Sequence, residues 1–132
     1  MSEFNVTTVN CITPGTLGTA AVVYFYAMKA PSASLGGGLT VLWGCASQTA
    51  AHGAASAPNF RLLKAGTTGA INGTIAGSIA VTAAGTPTAF TVTPTFVDAG
   101  EYVVVETHGP ALSAVELNGP VAIGWAPGRG GG

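Results

Sequence analysis

Glycine and proline interrupt this chain at short intervals along its whole length, with 20 glycines and 8 prolines among 132 residues. Proline removes a backbone donor and clashes with the preceding helical turn, and each internal glycine costs a helix about 1 kcal/mol relative to alanine. No window therefore sustains apolar residues at helical spacing between capping residues. The stretches between the interruptions are filled by Thr, Val, Ile and aromatic side chains, which suit short pleated strands joined by turns.

Strands are predicted over residues 4–9, 20–29, 38–45, 59–65, 88–96, 101–107, 112–117 and 121–125, with a hairpin over 70–75. Pro14-Gly15 turns the chain after the first of these. Asn72-Gly73, flanked by apolar residues, carries the signature of a tight hairpin turn whose two central residues need positive φ, with 79–83 continuing that ladder. Residues 88–96 alternate: Phe90, Val92 and Phe96 share one face with Pro94, and Thr91, Thr93 and Thr95 share the other. Pro94 cannot donate to a ladder, which places that strand at an edge or a bulge. Asp98 in the turn Val97-Asp98-Ala99-Gly100 is read as a cap on backbone N–H groups. Asn118-Gly119-Pro120 marks a further turn. Segment 20–29 is apolar on both faces, Val22, Tyr24, Tyr26 and Met28 against Val23, Phe25 and Ala27. That pattern predicts a central strand covered on both sides, by a loop of the same chain or by a neighbouring subunit.

Eight or nine short strands with turn signals about every ten residues predict an all-β fold with little or no helix: a single antiparallel β-sandwich over residues 1–132, jelly-roll-like in character. Residues 1–19 are a candidate N-terminal arm and 127–132 a Gly-rich tail. Strand order stays open between a jelly roll and an immunoglobulin-like sandwich. A 12.9 kDa chain buries enough surface for its own core. The two cysteines, Cys11 and Cys45, are expected as free buried thiols.

Charge is scarce. Asp, Glu, Lys and Arg make up 7% of the residues, against about 25% in an ordinary soluble domain, and the net charge is -1. A solitary protein keeps a charged surface to resist association. A surface of Thr, Ser, Ala, Gly and Asn is instead suited to being covered by partners, and a homo-oligomer is expected. Four basic residues, Lys29, Arg61, Lys64 and Arg129, do not form a phosphate-neutralising patch, so nucleic acid is not an expected partner. The longest apolar run, residues 20–28, ends at Lys29 and Pro31, short of the roughly 20 residues a membrane span needs. The residues before it carry Glu3 and no basic charge, so no targeting segment is read there and synthesis in the cytoplasm is expected.

Catalytic constellations are not found. The run Gly36-Gly37-Gly38-Leu39-Thr40 lacks the lysine of a phosphate loop. His52 and His108 have no spaced partners for a metal. Glu101 and Glu106 are five apart on one strand and point to opposite faces, so they do not form a facing pair of carboxylates. No catalytic, cofactor-binding or metal-binding residue is assigned, no cofactor is expected, and the chain is expected not to be an enzyme. The residues that can anchor a protein interface are Trp125, Trp43, Tyr24 and Tyr26. Arg129 joins them as the one strong hydrogen-bonding group of a glycine-rich tail that cannot build a core.

The second half of the chain, residues 65–128, resembles the β-sandwich virion proteins of tailed bacteriophages, above all their capsid decoration (cement) proteins. The resemblance is carried by Lys64-Ala65-Gly66-Thr67-Thr68-Gly69, by Thr86-Pro87-Thr88-Ala89-Phe90-Thr91-Val92, and by Val97-Asp98-Ala99-Gly100-Glu101-Tyr102-Val103-Val104-Val105. It covers about half the chain and brings no catalytic residue with it. It implies a virion protein on the capsid surface, bound between major capsid protein subunits and often trimeric. The alternative is a receptor-binding or fibre-tip module whose loops, 31–37 and 46–58, contact host glycans or proteins. Those loops offer mainly Ala, Ser and Gly, which counts against sugar stacking.

Overall fold

A computed structural model describes residues 5–17, 22–32, 37–49, 57–108 and 115–128. Nine strands follow in chain order: β1 (Asn5–Leu17), β2 (Val22–Lys29), β3 (Leu39–Ala46), β4 (Asn59–Ala65), β5 (Ile71–Ala80), β6 (Thr88–Ala89), β7 (Thr95–Val97), β8 (Tyr102–His108) and β9 (Val115–Pro127). There is no helix among the described residues. All strand pairs are antiparallel.

The pairing is nested: β4 pairs with β5, β3 with β6 and β7, β2 with β8, and β1 with β9. The chain is therefore one long hairpin, doubled back at the β4–β5 turn. Rolling that hairpin brings β9 beside β3 and β8 beside β4. It divides the strands into sheet A, ordered β1-β9-β3-β6 with β7 also on β3, and sheet B, ordered β2-β8-β4-β5. This is a jelly-roll β-sandwich, with the sixth of its eight elements split into β6 and β7. The order expected of an immunoglobulin-like sandwich is not adopted.

The core lies between the inner faces. Sheet A supplies Cys11, Leu39, Val41, Val121 and Ile123; sheet B supplies Phe60, Leu62, Val103 and Val105, all fully buried. Burying such side chains contributes about 1.5–3 kcal/mol each for the larger aliphatic and aromatic ones. A smaller cluster, Leu63, Ala65 and Val104, is buried on the other face of sheet B with Tyr102 packed against it.

Several local expectations are corrected by tertiary pairing. The chain reverses between β4 and β5 at residues 66–69, where Gly69 has φ 90° and its N–H donates to Gly66 O, while the Gly66 N–H donates to Ala70 O. Asn72-Gly73 lies inside β5, with Gly73 opposite Lys64, so it is not the hairpin turn. A single reversal suffices, and the β4–β5 ladder takes up the remaining mismatch in register irregularities. Asn118-Gly119 likewise lies inside β9. Gly119 serves a close approach there: a β-carbon on it would sit 1.9 Å from the Ser47 carbonyl oxygen. The Ser47 N–H donates to Pro120 O at 3.0 Å, locking that crossing. β1 runs on to Leu17, absorbing Pro14-Gly15 at a register shift between Ile12 and Thr16. Residues 5–17 of the candidate arm are thus a sheet strand.

β2 is an edge strand, not a central one. From Val22 to Ala27 its residues alternate between exposed outer positions and half-buried inner ones; a register shift between Tyr26 and Met28 then turns Met28 to the core, off the face expected for it with Tyr24 and Tyr26. An apolar residue on the outer face has the same sequence appearance whether covered or exposed, which is why the run read as doubly covered. The strand buried on both faces is β8, where residues 103–107 are all buried. The 88–96 segment does lie at the edge of sheet A, and it is broken: Pro94 sits exposed between β6 and β7. The Asp98 turn forms as read. Asp98 Oδ1 accepts the Ala99 N–H at 2.8 Å, Glu101 Oε1 accepts the Asp98 N–H at 2.9 Å, and Gly100 has φ 82°.

Candidate functional site

Rolling the sandwich leaves two outer faces, and the candidate anchors divide between them. On sheet A, Val6, Gly124 and Trp43 form one cross-strand row over β1, β9 and β3. The Trp43 indole lies over Gly124, where a β-carbon would come within 2.1 Å of Nε1 and Cε2. The missing side chain in the central strand is what lets the indole lie down. Trp43 and Val6 remain 38% and 52% exposed. The next row is Thr8, Ala122 and Cys45, and beyond Trp43 stand Thr40 and Ala126. Among the described side chains of this face none is charged.

Trp125 faces the other way. Its Nε1–H donates to Thr7 Oγ1 at 2.9 Å, and the ring packs against the core. The Thr7 hydroxyl lies 3.7 Å from Met28 Sδ on sheet B, so the pair ties the two sheets together. Trp125 is therefore a core-lining residue, half-buried, rather than an exposed anchor. Arg129 and His52 lie outside the described residues. Both cysteines are free, Cys11 pointing into the core from β1 and Cys45 outward from β3. Burial pushes the Cys11 thiol up to about 12.

On sheet B the outer face carries Tyr24 and Tyr26, 46% and 49% exposed. Tyr26 is held in place: its hydroxyl donates to Gly69 O at 2.5 Å, and its ring meets Tyr102 edge-on at 5.7 Å. Lys29 Nζ stands 5.9 Å from the Tyr102 ring centroid. One register step along β8, Tyr24, Glu106 and Arg61 make a row, flanked by the row Val22, His108 and Asn59.

Glu106 is 3% exposed although it lies on an outer face. Arg61 Nε and Nη2 donate to its two carboxylate oxygens at 3.0 and 2.9 Å, a bidentate pair, and His108 Nε2 lies 2.5 Å from Oε1. Burial opposes ionisation of Glu106, but the hydrogen bonds and charges of Arg61 and His108 outweigh it and hold the carboxyl below its usual value. The same pair raises the Arg61 pKa, the bond to Glu106 being the largest cause, with Tyr24 contributing. Both oxygens of Glu106 are engaged, so the cluster acts as a fixed polar surface that orients Arg61 and His108 toward solvent. Strand alternation put Glu106 on one face with Tyr102 and Val104, but its partners come from β4 and from two residues along β8. Only the β4–β8 register brings Arg61 opposite it.

Among the described residues, no three His, Cys, Asp or Glu side chains come together as a metal site. Among the described residues, no helix is long and apolar enough to cross a membrane.

No protein-family model matches the chain, and no curated protein matches it. Among solved structures, dimeric latent PorU from Porphyromonas gingivalis is similar at a TM-score of 0.34 and 14% identity, over 96% of this chain and 13% of that one. The chain thus spans 13% of the length of that protein, and a likeness at this level leaves the function to be argued from the two faces themselves.

Proposed function

We propose that this chain is a structural virion protein that binds the outside of a phage capsid and reinforces contacts between major capsid protein subunits. The observation that carries the reading is the outer face of sheet A, uncharged among its described side chains, with Trp43 laid over Gly124 at its centre. Removing water from Thr, Ala, Gly and Val costs little, whereas every unpaired charge in an interface costs several kcal/mol. A face of this kind is suited to a dry contact, and a tryptophan in mid-face is the residue type most often found as a hot spot. The scarcity of charge in the whole chain, 7%, points the same way. Jelly rolls also serve as viral capsid domains, which is support by analogy of fold alone.

In this reading the chain acts as an oligomer, a trimer by the resemblance in its second half, made in the host cytoplasm and added to the virion surface. It needs no cofactor, metal, nucleic acid or membrane. A standard interface of roughly 1,600 Å² with good anchors suffices for tight binding. The test is to measure the solution mass of the purified chain and then sediment it with purified capsids. Stoichiometric co-sedimentation is expected, and Trp43→Ala is expected to weaken it by about 30-fold or more, the cost of losing a hot spot of about 2 kcal/mol. Binding to host cells but not to capsids would favour the fibre-tip alternative and end the decoration reading.

A further inference from the structure

The outer face of sheet B has a different chemistry from the face opposite. Its two exposed rings, Tyr24 and Tyr26, stand at alternate positions of β2, about 6.6 Å apart along the strand. Beside them lie an amide, an imidazole, a guanidinium and a carboxylate: Asn59, His108, Arg61 and Glu106. From β2 to β4 and from the Val22 row to the Tyr26 row, the patch measures roughly 10 Å by 13 Å. We propose that this face is a binding site for a neutral oligosaccharide of two or three residues' length, with Tyr24 and Tyr26 stacking on sugar C–H faces and Arg61, His108 and Asn59 hydrogen-bonding the hydroxyls.

Three features favour this ligand class. The first is rigidity. Tyr26 is fixed by its bond to Gly69 and its edge contact with Tyr102, and Arg61 is fixed by two bonds to a buried carboxylate. A preorganised surface loses little entropy on binding. The second is unused donor capacity. Arg61 commits Nε and Nη2 to Glu106, leaving Nη1 unpaired among the described residues, and the Arg61 and His108 side chains are 39% and 41% exposed. The third is charge. Glu106 balances the charge of Arg61, so the ion pair carries no net charge of its own with which to draw in an acidic ligand. A dry protein partner would have to dehydrate this ion pair, which is costly. A polyhydroxylated ligand replaces the lost water hydrogen bonds one for one. The face of sheet A, without charge among its described side chains, suits protein; this one suits sugar.

The site is independent of the docking reading, since it lies on the opposite sheet. The test is affinity electrophoresis and calorimetry of the full chain with neutral hexasaccharides of glucose, mannose and galactose, and with hexagalacturonate as the acidic counterpart. Binding of at least one neutral hexasaccharide is expected, weakened about tenfold by Tyr24→Ala and by Tyr26→Ala, the loss of one aromatic contact and its buried area. Trp43→Ala, which removes the docking anchor, is expected to leave sugar binding unchanged, and Tyr24→Ala to leave capsid sedimentation unchanged. Thermal melting of each variant checks that the fold is intact. Failure of every neutral hexasaccharide, binding of hexagalacturonate alone, or binding by both tyrosine variants undiminished from the parent would each overturn the assignment.

Discussion

Removing Arg61 should destabilise the protein more than removing Glu106, although both break the same ion pair. Glu106 is 3% exposed, whereas the Arg61 side chain is 39% exposed. Glu106→Gln leaves a guanidinium that water already reaches, so the loss is that of charged hydrogen bonds in a partly solvated pair, about 1–2 kcal/mol. Arg61→Met strands a buried carboxylate with His108 as its one remaining partner among the described residues. Such an uncompensated charge costs about 3 kcal/mol. For 132 residues the unfolding entropy is about 0.28 kcal/mol/K, so the two variants should melt about 5 °C and about 11 °C below the parent. The pH dependence separates the mechanisms. In the parent, the folded-state pKa of Glu106 is depressed below 4.5, so its contribution is present above 4.5 and is lost as pH falls through the depressed value. In Arg61→Met burial prevails and raises the pKa, so the penalty is full near neutrality and shrinks as acid neutralises the stranded carboxylate. Melting curves of the parent, both single variants and Arg61→Met/Glu106→Leu, from about pH 4.5 to about pH 7.5, are the assay. The double variant should recover most of the loss, because two apolar side chains leave nothing unpaired. Equal losses in the two single variants, or an Arg61→Met penalty that does not change with pH, would refute the argument.

Three further outcomes concern the core and the strand crossings. Gly119→Ala places a β-carbon 1.9 Å from the Ser47 carbonyl oxygen, a backbone atom that cannot swing away, so refolding yield and melting temperature should fall by at least as much as for Arg61→Met. Cys45 should react with a disulfide reagent in the native protein, while Cys11, buried and with its thiol pushed up to about 12, should react only as fast as the protein opens. The same raised value keeps its stabilising effect complete below pH 9.0 and removes it as pH climbs from there toward 12, which alkaline melting curves would show.

The division between the two faces explains why so little chemistry is visible in this chain. Lys29, Arg61, Glu106 and His108 belong to the outer face of sheet B, while Lys64 and Glu101 meet at 3.8 Å beside the Asp98 turn. A uniform scarcity of charge in composition thus becomes, among the described side chains, one bare face and one polar one. The anchors sort accordingly: Trp43 on the bare face, Tyr24 and Tyr26 on the polar one, and Trp125 facing inward.

What the residues settle alone is what nearest-neighbour sterics and the two-residue strand period settle. Glycine and proline forbid helices, β-branched and aromatic runs make strands, Asp98 caps its own turn, and Pro94 keeps its segment at an edge. These depend on each residue and its immediate neighbours. The tertiary structure decides everything that depends on which strand lies alongside. Asn72-Gly73 and Asn118-Gly119 have turn chemistry but are drawn into β5 and β9, because ladder pairing along those strands offsets a local preference of about 1 kcal/mol. β2 is left at an edge, β8 is buried on both faces, and Glu106 meets Arg61 across 45 residues of sequence, because rolling the nested hairpin sets their register. Register is a property of two strands at once, so no single segment can carry it.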